Sequence, residues 1–170
     1  MKKFAHSQRF IHSEKPLRKT IKKRFLLLMV IGLTGVFMLF RDLNLVVTPS
    51  IKPTVLWFSD KAFQRGDYVT FTLIHPLANK GKPVPITKKL VCLPGDRLSI
   101  SDVHYYCNGE YLGQVHRYSM ALKKALPVFS YEGVIPENKG FVIGSNFQSF
   151  DSKNWGFITL SETKNNEVWF

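Results

Sequence analysis

The hydrophobic pattern of the chain is uneven, with one long apolar run before residue 41. Residues 25–40 are sixteen residues without a charged side chain. As an α-helix this run would rise about 24 Å, short of the roughly 30 Å hydrocarbon core of a bilayer, but basic residues at 22–24 and 41 can reach the headgroups from either end. No face of the run is polar, which argues against a buried core helix. The pattern predicts one membrane-spanning helix over residues 25–41.

After residue 41 the pattern changes to short extended segments separated by Gly, Pro and Asn, which is typical of an all-β domain. Such segments predict strands over residues 68–74, 86–93 and 141–143. Asn108 and Gly109 predict a tight hairpin, because both residues tolerate the positive φ angles of a type I′ turn. Residues 114–132 have no clear period, and we expect a loop there that includes a helical turn at most.

The net charge of +12 is concentrated at the N-terminus. Residues 1–24 hold nine Lys or Arg and one Glu, a net +8, which leaves +4 for the other 146 residues. Because this basic tail abuts the apolar run, a lipid bilayer is the expected partner. Nucleic acid is not expected, since no aromatic platform for stacking bases organises the tail. A cleaved secretory signal is the alternative, but the run is longer than a usual signal core and no small-x-small site follows residue 40.

The charge asymmetry also predicts an orientation. Positive flanks stay in the cytoplasm, so the residues after the span would lie across the membrane. We therefore expect a basic cytoplasmic tail over residues 1–24, a transmembrane anchor over residues 25–41 and an extracytoplasmic β-rich domain over residues 42–170. In that oxidising compartment Cys92 and Cys107 would form a disulfide worth about 3 kcal/mol or remain two buried thiols, and the sequence leaves both open.

The sequence gives no support to several kinds of chemistry. The five histidines show no metal-ligand spacing and the two cysteines form no zinc motif, so we expect no metal and no cofactor. A Gly-x-Ser-x-Gly motif and a phosphate-binding glycine loop are both absent from the sequence. Hydrolases with a histidine base and nucleotide-dependent enzymes are therefore not supported.

Ser50 and Lys88 are the candidate catalytic residues. Ser50 lies in a rigid segment between two prolines, and by itself it is explained as a turn hydroxyl. In an alternating strand Lys88 shares a face with Ile86 and Leu90, whereas Lys89 points to the other face. Burial favours the neutral amine, which can take a proton from a serine hydroxyl. By itself, an edge-strand lysine that discourages aggregation explains Lys88 as well.

Three short segments carry a characteristic order of motifs. Residues 50–54 read Ser-Ile-Lys-Pro-Thr, residues 88–96 end in Pro-Gly-Asp, and residues 144–156 form a polar loop that closes on Trp-Gly. In this order they resemble the boxes of signal peptidase I, a family of Ser/Lys proteases. The first is similar to the Ser-x-x-Pro-Thr nucleophile box. The second resembles the box whose base lysine lies eight residues before the aspartate, which is Lys88.

The resemblance implies roles for further residues. Ser149 corresponds to a serine that hydrogen-bonds and orients the lysine, and Asp151 to a structural acid that pairs with Lys153. Thr48 falls where the family has a hydroxyl donor to the oxyanion, beside the backbone N–H of Ser50. Three positions differ from the usual family residue without loss of a catalytic group: Ser145 for aspartate, Lys153 for arginine and Cys92 for glycine.

The resemblance also implies a fold and a function. The fold would be a signal-peptidase-like antiparallel β domain after one transmembrane helix, in the inner membrane of a bacterium. The function would be a serine endopeptidase that removes signal peptides from exported preproteins with small residues before the cut, through an acyl-enzyme. Lys52 is a rival base, because in an extended segment it shares a face with Ser50. Two alternatives remain. One is a peptidase dedicated to a conjugative pilin precursor, a branch that the chain also resembles in its short 114–132 stretch and its Ser-Phe-Asp-Ser-Lys segment. The other is a catalytically silent component of a secretion complex.

Overall fold

The chain divides into two compact units, residues 1–41 and residues 42–170. A computed structural model describes residues 15–41, 43–45, 51 and 55–168. The assignment of the first unit to a tail and an anchor, and of the second to an extracytoplasmic domain, remains a prediction.

The described residues of the first unit, 15–41, contain one helix. Helix α1 is Lys15–Phe40, and its segment Lys22–Phe40 is long and apolar enough to cross a membrane, by length and composition. The side chains of this segment are all exposed. Thr34, the one polar residue of the apolar run, donates its hydroxyl to the carbonyl of Val30 at 2.8 Å. This bond satisfies the hydroxyl within the helix, as an apolar surrounding requires.

The regular secondary structure of the second unit consists mostly of strands. Over its described residues these are β1 Leu43–Leu45, β2 Val55–Ser59, β3 Tyr68–Leu73, β4 Val84–Cys92, β5 Arg97–Ser101, β6 His104–Cys107, β7 Glu110–Gln114, β8 Tyr118–Ser119, β9 Lys124–Ala125, β10 Gly133–Val134, β11 Lys139–Ile143, β12 Ile158–Thr159 and β13 Lys164–Val168. Helix α2, Ser152–Trp155, lies between β11 and β12, and 3₁₀ turns occupy Asn79–Gly81 and Leu160–Glu162.

The strands form antiparallel sheets. The largest has seven strands in the order β1-β2-β13-β3-β4-β11-β12, a second has four in the order β10-β5-β6-β7, and β8 and β9 pair as a separate hairpin. The last strand, β13, inserts between β2 and β3, so the end of the chain completes the middle of the large sheet. The fold is therefore mainly antiparallel β after one N-terminal apolar helix, as predicted.

The predicted strands are present at β3, β4 and β11, and the predicted hairpin joins β6 to β7. Its turn residues have φ angles of 50° at Asn108 and 83° at Gly109, both positive as expected. Residues 114–132 were expected to hold a helical turn at most. They contain the short β8–β9 hairpin instead. Its strands have two residues each, too few to leave a period in the sequence, so the hydrophobic pattern did not predict them.

Strand β4 contributes to two apolar clusters. Leu90 packs in one with Val69 and Phe71 of β3, whereas Val91 and Cys92 both lie in the other, between the two larger sheets. Strict alternation fails at this end of β4, where the pairing with β11 shifts register.

A disulfide joins Cys92 of β4 to Cys107 of β6, with Cα atoms 6.1 Å apart. This bond links the seven-stranded sheet to the four-stranded sheet, in the middle of the cluster that both sheets share. The structure thus favours the disulfide over the two free thiols that the sequence left open.

Candidate active site

Lys88 is a buried lysine in the centre of the large sheet. It pairs with Val69 of β3 and is 4% exposed, whereas the neighbouring Lys89 is exposed. The alternation read from the sequence therefore assigned the two lysines to the correct sides. The Nζ atom of Lys88 donates to the Oγ atom of Ser149 at 2.7 Å.

The surroundings of Lys88 favour its neutral form. Burial lowers the pKa of Lys88 from 10.5 to about 8. The negative charge of Asp151 opposes this effect, and the positive charge of Lys153 adds to it. Near neutral pH a fraction of about a tenth of the side chain is a free amine, which can accept a proton.

Asp151 closes the loop that presents Ser149 to Lys88. It is fully buried, and its Oδ2 accepts from the backbone N–H of Gly144 at 3.1 Å and from Nζ of Lys153 at 2.8 Å. Its Oδ1 accepts from the backbone N–H of Lys153 at 3.1 Å and so caps α2. These bonds tie the two ends of loop 144–151 together.

Helix α2 is itself fixed on both sides. The Oγ of Ser152 accepts from the backbone N–H of Val142 in β11 at 3.0 Å. On the other side, Nδ2 of Asn154 donates to the carbonyls of His116 at 3.1 Å and Pro127 at 2.8 Å. The helix therefore joins the large sheet to the loop before β10.

Tyr105 and Gly156 both contact the segment around Phe129, next to the end of α2. The hydroxyl of Tyr105 donates to the carbonyl of Phe129 and lies 3.3 Å from the carbonyl of Lys153. Gly156 has a φ of 97°, and a Cβ at this position would lie 2.9 Å from the ring of Phe129. The glycine of the Trp-Gly pair is thus required by a close contact, which explains the end of the third box.

Sequence reasoning missed Tyr105 and Asn154. Each is a side chain whose partners lie 24 to 48 residues away in sequence. No periodicity or spacing reports such a bond. The position of Asn154 inside the third box was the available signal.

The structure brings together Lys88, Ser149, Asp151 and Lys153, all of them predicted from the sequence. The predicted nucleophile Ser50, the predicted oxyanion donor Thr48 and the rival base Lys52 lie outside the described residues. Ile51, which follows Ser50, is 5% exposed and forms a small apolar cluster with Leu56 of β2 and Tyr68 of β3.

The Pro-Gly-Asp turn that ends β4 is held by Asp96. Its carboxylate accepts from the backbone N–H of Leu93 at 2.7 Å, from Nδ2 of Asn108 at 2.9 Å and from Nη2 of Arg65 at 2.6 Å. Burial alone would raise the pKa of Asp96, but these donors hold it below its usual value. The turn therefore anchors the end of β4, the strand of Lys88, to the β6–β7 turn and to the segment before β3.

Asp96 also lies close to the sulfur atoms of Cys92 and Cys107, and this spacing is compatible with metal ligation. Both sulfurs are bonded to each other, however, and a disulfide offers no thiolate to a metal ion. Cys92 and Cys107 therefore form a covalent junction, and the carboxylate of Asp96 lies beside it.

A family model described as signal peptidase, peptidase S26, matches residues 17–169. The chain therefore belongs to this family, and its buried lysine and three motif segments fall within the matched residues.

Two individual proteins are also similar. One is the "Probable signal peptidase I-2" of Synechocystis sp. (strain ATCC 27184 / PCC 6803 / Kazusa), which is 31% identical over 97 residues, or 56% of this chain. The chain spans only 42% of that relative's length. The other is a crystal structure of a signal peptidase I from Enterococcus faecalis V583, at 23% identity and a TM-score of 0.39, covering 65% of this chain and all of that one.

Proposed function

We propose that the protein is a membrane-anchored serine endopeptidase that removes signal peptides from exported preproteins, with Ser50 as nucleophile and Lys88 as general base. The observation that carries the proposal is the burial of Lys88, which lowers its pKa to about 8 while its Nζ contacts Ser149. Family membership supports the same assignment. A serine hydroxyl needs an adjacent base, and a neutral lysine supplies one without histidine.

The reaction begins when the neutral amine of Lys88 takes the hydroxyl proton of Ser50, whose Oγ attacks the scissile carbonyl. The backbone N–H of Ser50 and the hydroxyl of Thr48 stabilise the resulting oxyanion, and removal of one such donor costs about 10²-fold in turnover. The C–N bond then breaks, and the Lys88 ammonium returns its proton to the leaving amine. The product is an acyl-enzyme on Ser50.

The second half of the reaction uses the same groups. Lys88, neutral again, takes a proton from water, and the hydroxide attacks the acyl carbonyl. Collapse of this intermediate releases the signal peptide as a carboxylic acid and returns the proton to Ser50. Ser149 acts as a positioning residue for Lys88 in both halves, and the buried Asp151–Lys153 pair keeps the loop of Ser149 in place.

Family membership and the apolar helix α1 support a proposal for the substrate and the location. The substrates are preproteins with small residues before the cleavage site, which shallow apolar pockets accept. The partner of α1 is the lipid bilayer, which it would cross once with the basic tail in the cytoplasm. The peptidase domain would then lie on the extracytoplasmic side of a bacterial inner membrane.

The test is cleavage of a purified preprotein by the full-length chain in detergent. We expect the unaltered chain to cleave, and Ser50→Ala and Lys88→Ala to lose cleavage. Lys89→Ala is the matched control, because this lysine is adjacent but exposed, and it should retain activity. Loss of activity in Lys52→Ala comparable to that in Lys88→Ala would assign the base to Lys52 instead.

The same assay separates the alternatives. Failure of the unaltered chain to cleave general preproteins, with cleavage of a pilin precursor, would support a dedicated peptidase. Cleavage of neither substrate would support a catalytically silent component and would contradict the proposal.

A further inference from the structure

The β8–β9 hairpin exposes apolar and cationic side chains together. Its apolar residues are 52% exposed at Tyr118, 73% at Met120 and 48% at Leu122. Its cations Arg117, Lys123 and Lys124 are exposed as well. No Asp or Glu occurs from residue 111 to residue 131. The hairpin, residues 117–125, therefore has an apolar tip, and all of its own charged residues are positive.

The hairpin has a defined geometry. Tyr118 pairs with Ala125, and Ser119 pairs with Lys124. The backbone N–H of Leu122 donates to Oγ of Ser119 at 3.2 Å within the turn. These bonds hold the apolar side chains outward, where their contact with water is unfavourable.

We propose that this hairpin binds the surface of a bilayer that contains anionic phospholipids. Tyr118, Met120 and Leu122 would enter the boundary between headgroups and acyl chains, and the three cations would bind phosphate groups. This combination of apolar and basic residues is what interfacial membrane binding requires. The inference rests on the proposed membrane anchor, which would keep the domain close to the bilayer and so raise the effective concentration of lipid at the hairpin.

The base of the hairpin is connected to the candidate active site. Asn154 of α2 donates to the carbonyl of His116 before the hairpin and to that of Pro127 after it. The ring of His116 also packs against Phe147, with centroids 5.5 Å apart, in the loop that carries Ser149. Binding of the hairpin to lipid would therefore orient the candidate active site relative to the membrane surface.

The experiment uses the full-length chain in lipid nanodiscs, with Met120→Cys carrying a fluorophore. The two native cysteines are bonded to each other and leave the introduced thiol as the reactive one. Lipids brominated on their acyl chains quench a fluorophore that enters the bilayer. We expect quenching in nanodiscs of phosphatidylglycerol and much less in nanodiscs of phosphatidylcholine. A label at Leu122→Cys should behave in the same way, and a label at Val134→Cys, an exposed apolar site on β10, is the control for position.

Charge reversal tests the role of the cations. Each cation contributes about five-fold to binding at an anionic surface, so Lys123→Glu with Lys124→Glu should weaken hairpin binding by about 25-fold or more. The matched control is Lys80→Glu with Lys82→Glu, the same change at two other exposed lysines, which should leave quenching unchanged.

Three results would overturn the inference: no quenching at either hairpin label, equal quenching in both lipids, or equal effects of the two charge reversals. Loss of label exposure on addition of nucleic acid, without lipid quenching, would assign the hairpin to another partner. The Ser50→Ala chain should show full quenching, so failure of the peptidase proposal and failure of this one are distinguishable. A chain that does not enter nanodiscs would contradict the anchor on which the inference rests.

Discussion

Burial of Lys88 favours its neutral amine, the form that can accept a proton, and lowers the free energy of unfolding. Its pKa is lowered to about 8 by burial, whereas an unfolded lysine has a value of 10.5. Below pH 8 both states carry the charge, and the folded state bears the full cost of burying it. Between pH 8 and 10.5 the unfolded state binds the proton and the folded state does not, so stability rises with pH over this range.

We predict that Lys88→Met unfolds at higher denaturant concentration than the unaltered chain at pH 7. The difference between pKa values of 10.5 and about 8 corresponds to about 3 kcal/mol. The gap should shrink as the pH approaches 10.5, and Lys89→Met, at an exposed site, should show no such gap. Denaturant titrations at several pH values measure it, and a Lys88→Met chain that is less stable at pH 7 would contradict the account.

The Oγ atom of Ser149 accepts a hydrogen bond from Nζ of Lys88 at 2.7 Å. We predict that Ser149→Ala lowers kcat by about 10²-fold, because a displaced general base loses its alignment. Ser145→Ala, in the same loop but exposed, is the matched control and should lower kcat little. Equal effects of the two changes on kcat would mean that Ser149 does not position the lysine.

At the scale of the element, the buried Asp151–Lys153 pair holds the loop between β11 and α2. Its side chains are 0% and 6% exposed. We predict that Lys153→Met destabilises the domain by about 3–5 kcal/mol, because it leaves a buried carboxylate without its partner. Addition of Asp151→Asn should recover most of this loss, because the asparagine can still accept a bond in the cap. A double variant that unfolds as readily as Lys153→Met alone would contradict this view.

The disulfide acts on a different pair of elements, β4 and β6. It closes a loop with a sequence separation of 15, for which chain-entropy arguments give about 3 kcal/mol. We predict that a reducing agent lowers the melting temperature of the unaltered chain. It should have no effect on the variant with Cys92→Ser and Cys107→Ser. Equal sensitivity of both chains to reduction would exclude this role.

Elements with strong local signals were predictable from the sequence. Strand β3 alternates because one face is buried, and in β4 the alternation distinguished buried Lys88 from exposed Lys89. The β6–β7 hairpin has an Asn-Gly turn whose φ angles few residue pairs accept. The strands β8, β9 and β12 have two residues each and leave no period. The insertion of β13 between β2 and β3 depends on pairing across about a hundred residues, which no local pattern encodes.

On the scale of the whole molecule, the sequence separated an apolar helix from a β-rich domain, because an unbroken apolar run differs from short segments separated by Gly, Pro and Asn. It also predicted that Lys88 is buried, since alternation along one strand is a local property. The sequence did not predict the hydrogen bonds of Asn154 and Tyr105, because their partners are backbone carbonyls distant in the chain. The Lys88–Ser149 and Asp151–Lys153 contacts were expected from the family resemblance, whereas the bonds of Asn154 and Tyr105 to the backbone were not.

The central claim is that the neutral amine of Lys88 activates Ser50. The most direct test is the pH dependence of kcat/KM for preprotein cleavage by the full-length chain. The account predicts a rise of about ten-fold per pH unit that levels off near pH 8, the pKa of Lys88. It also predicts the same profile for Lys52→Ala. A rate that is independent of pH between 6 and 9, or a profile that Lys52→Ala displaces, would contradict it.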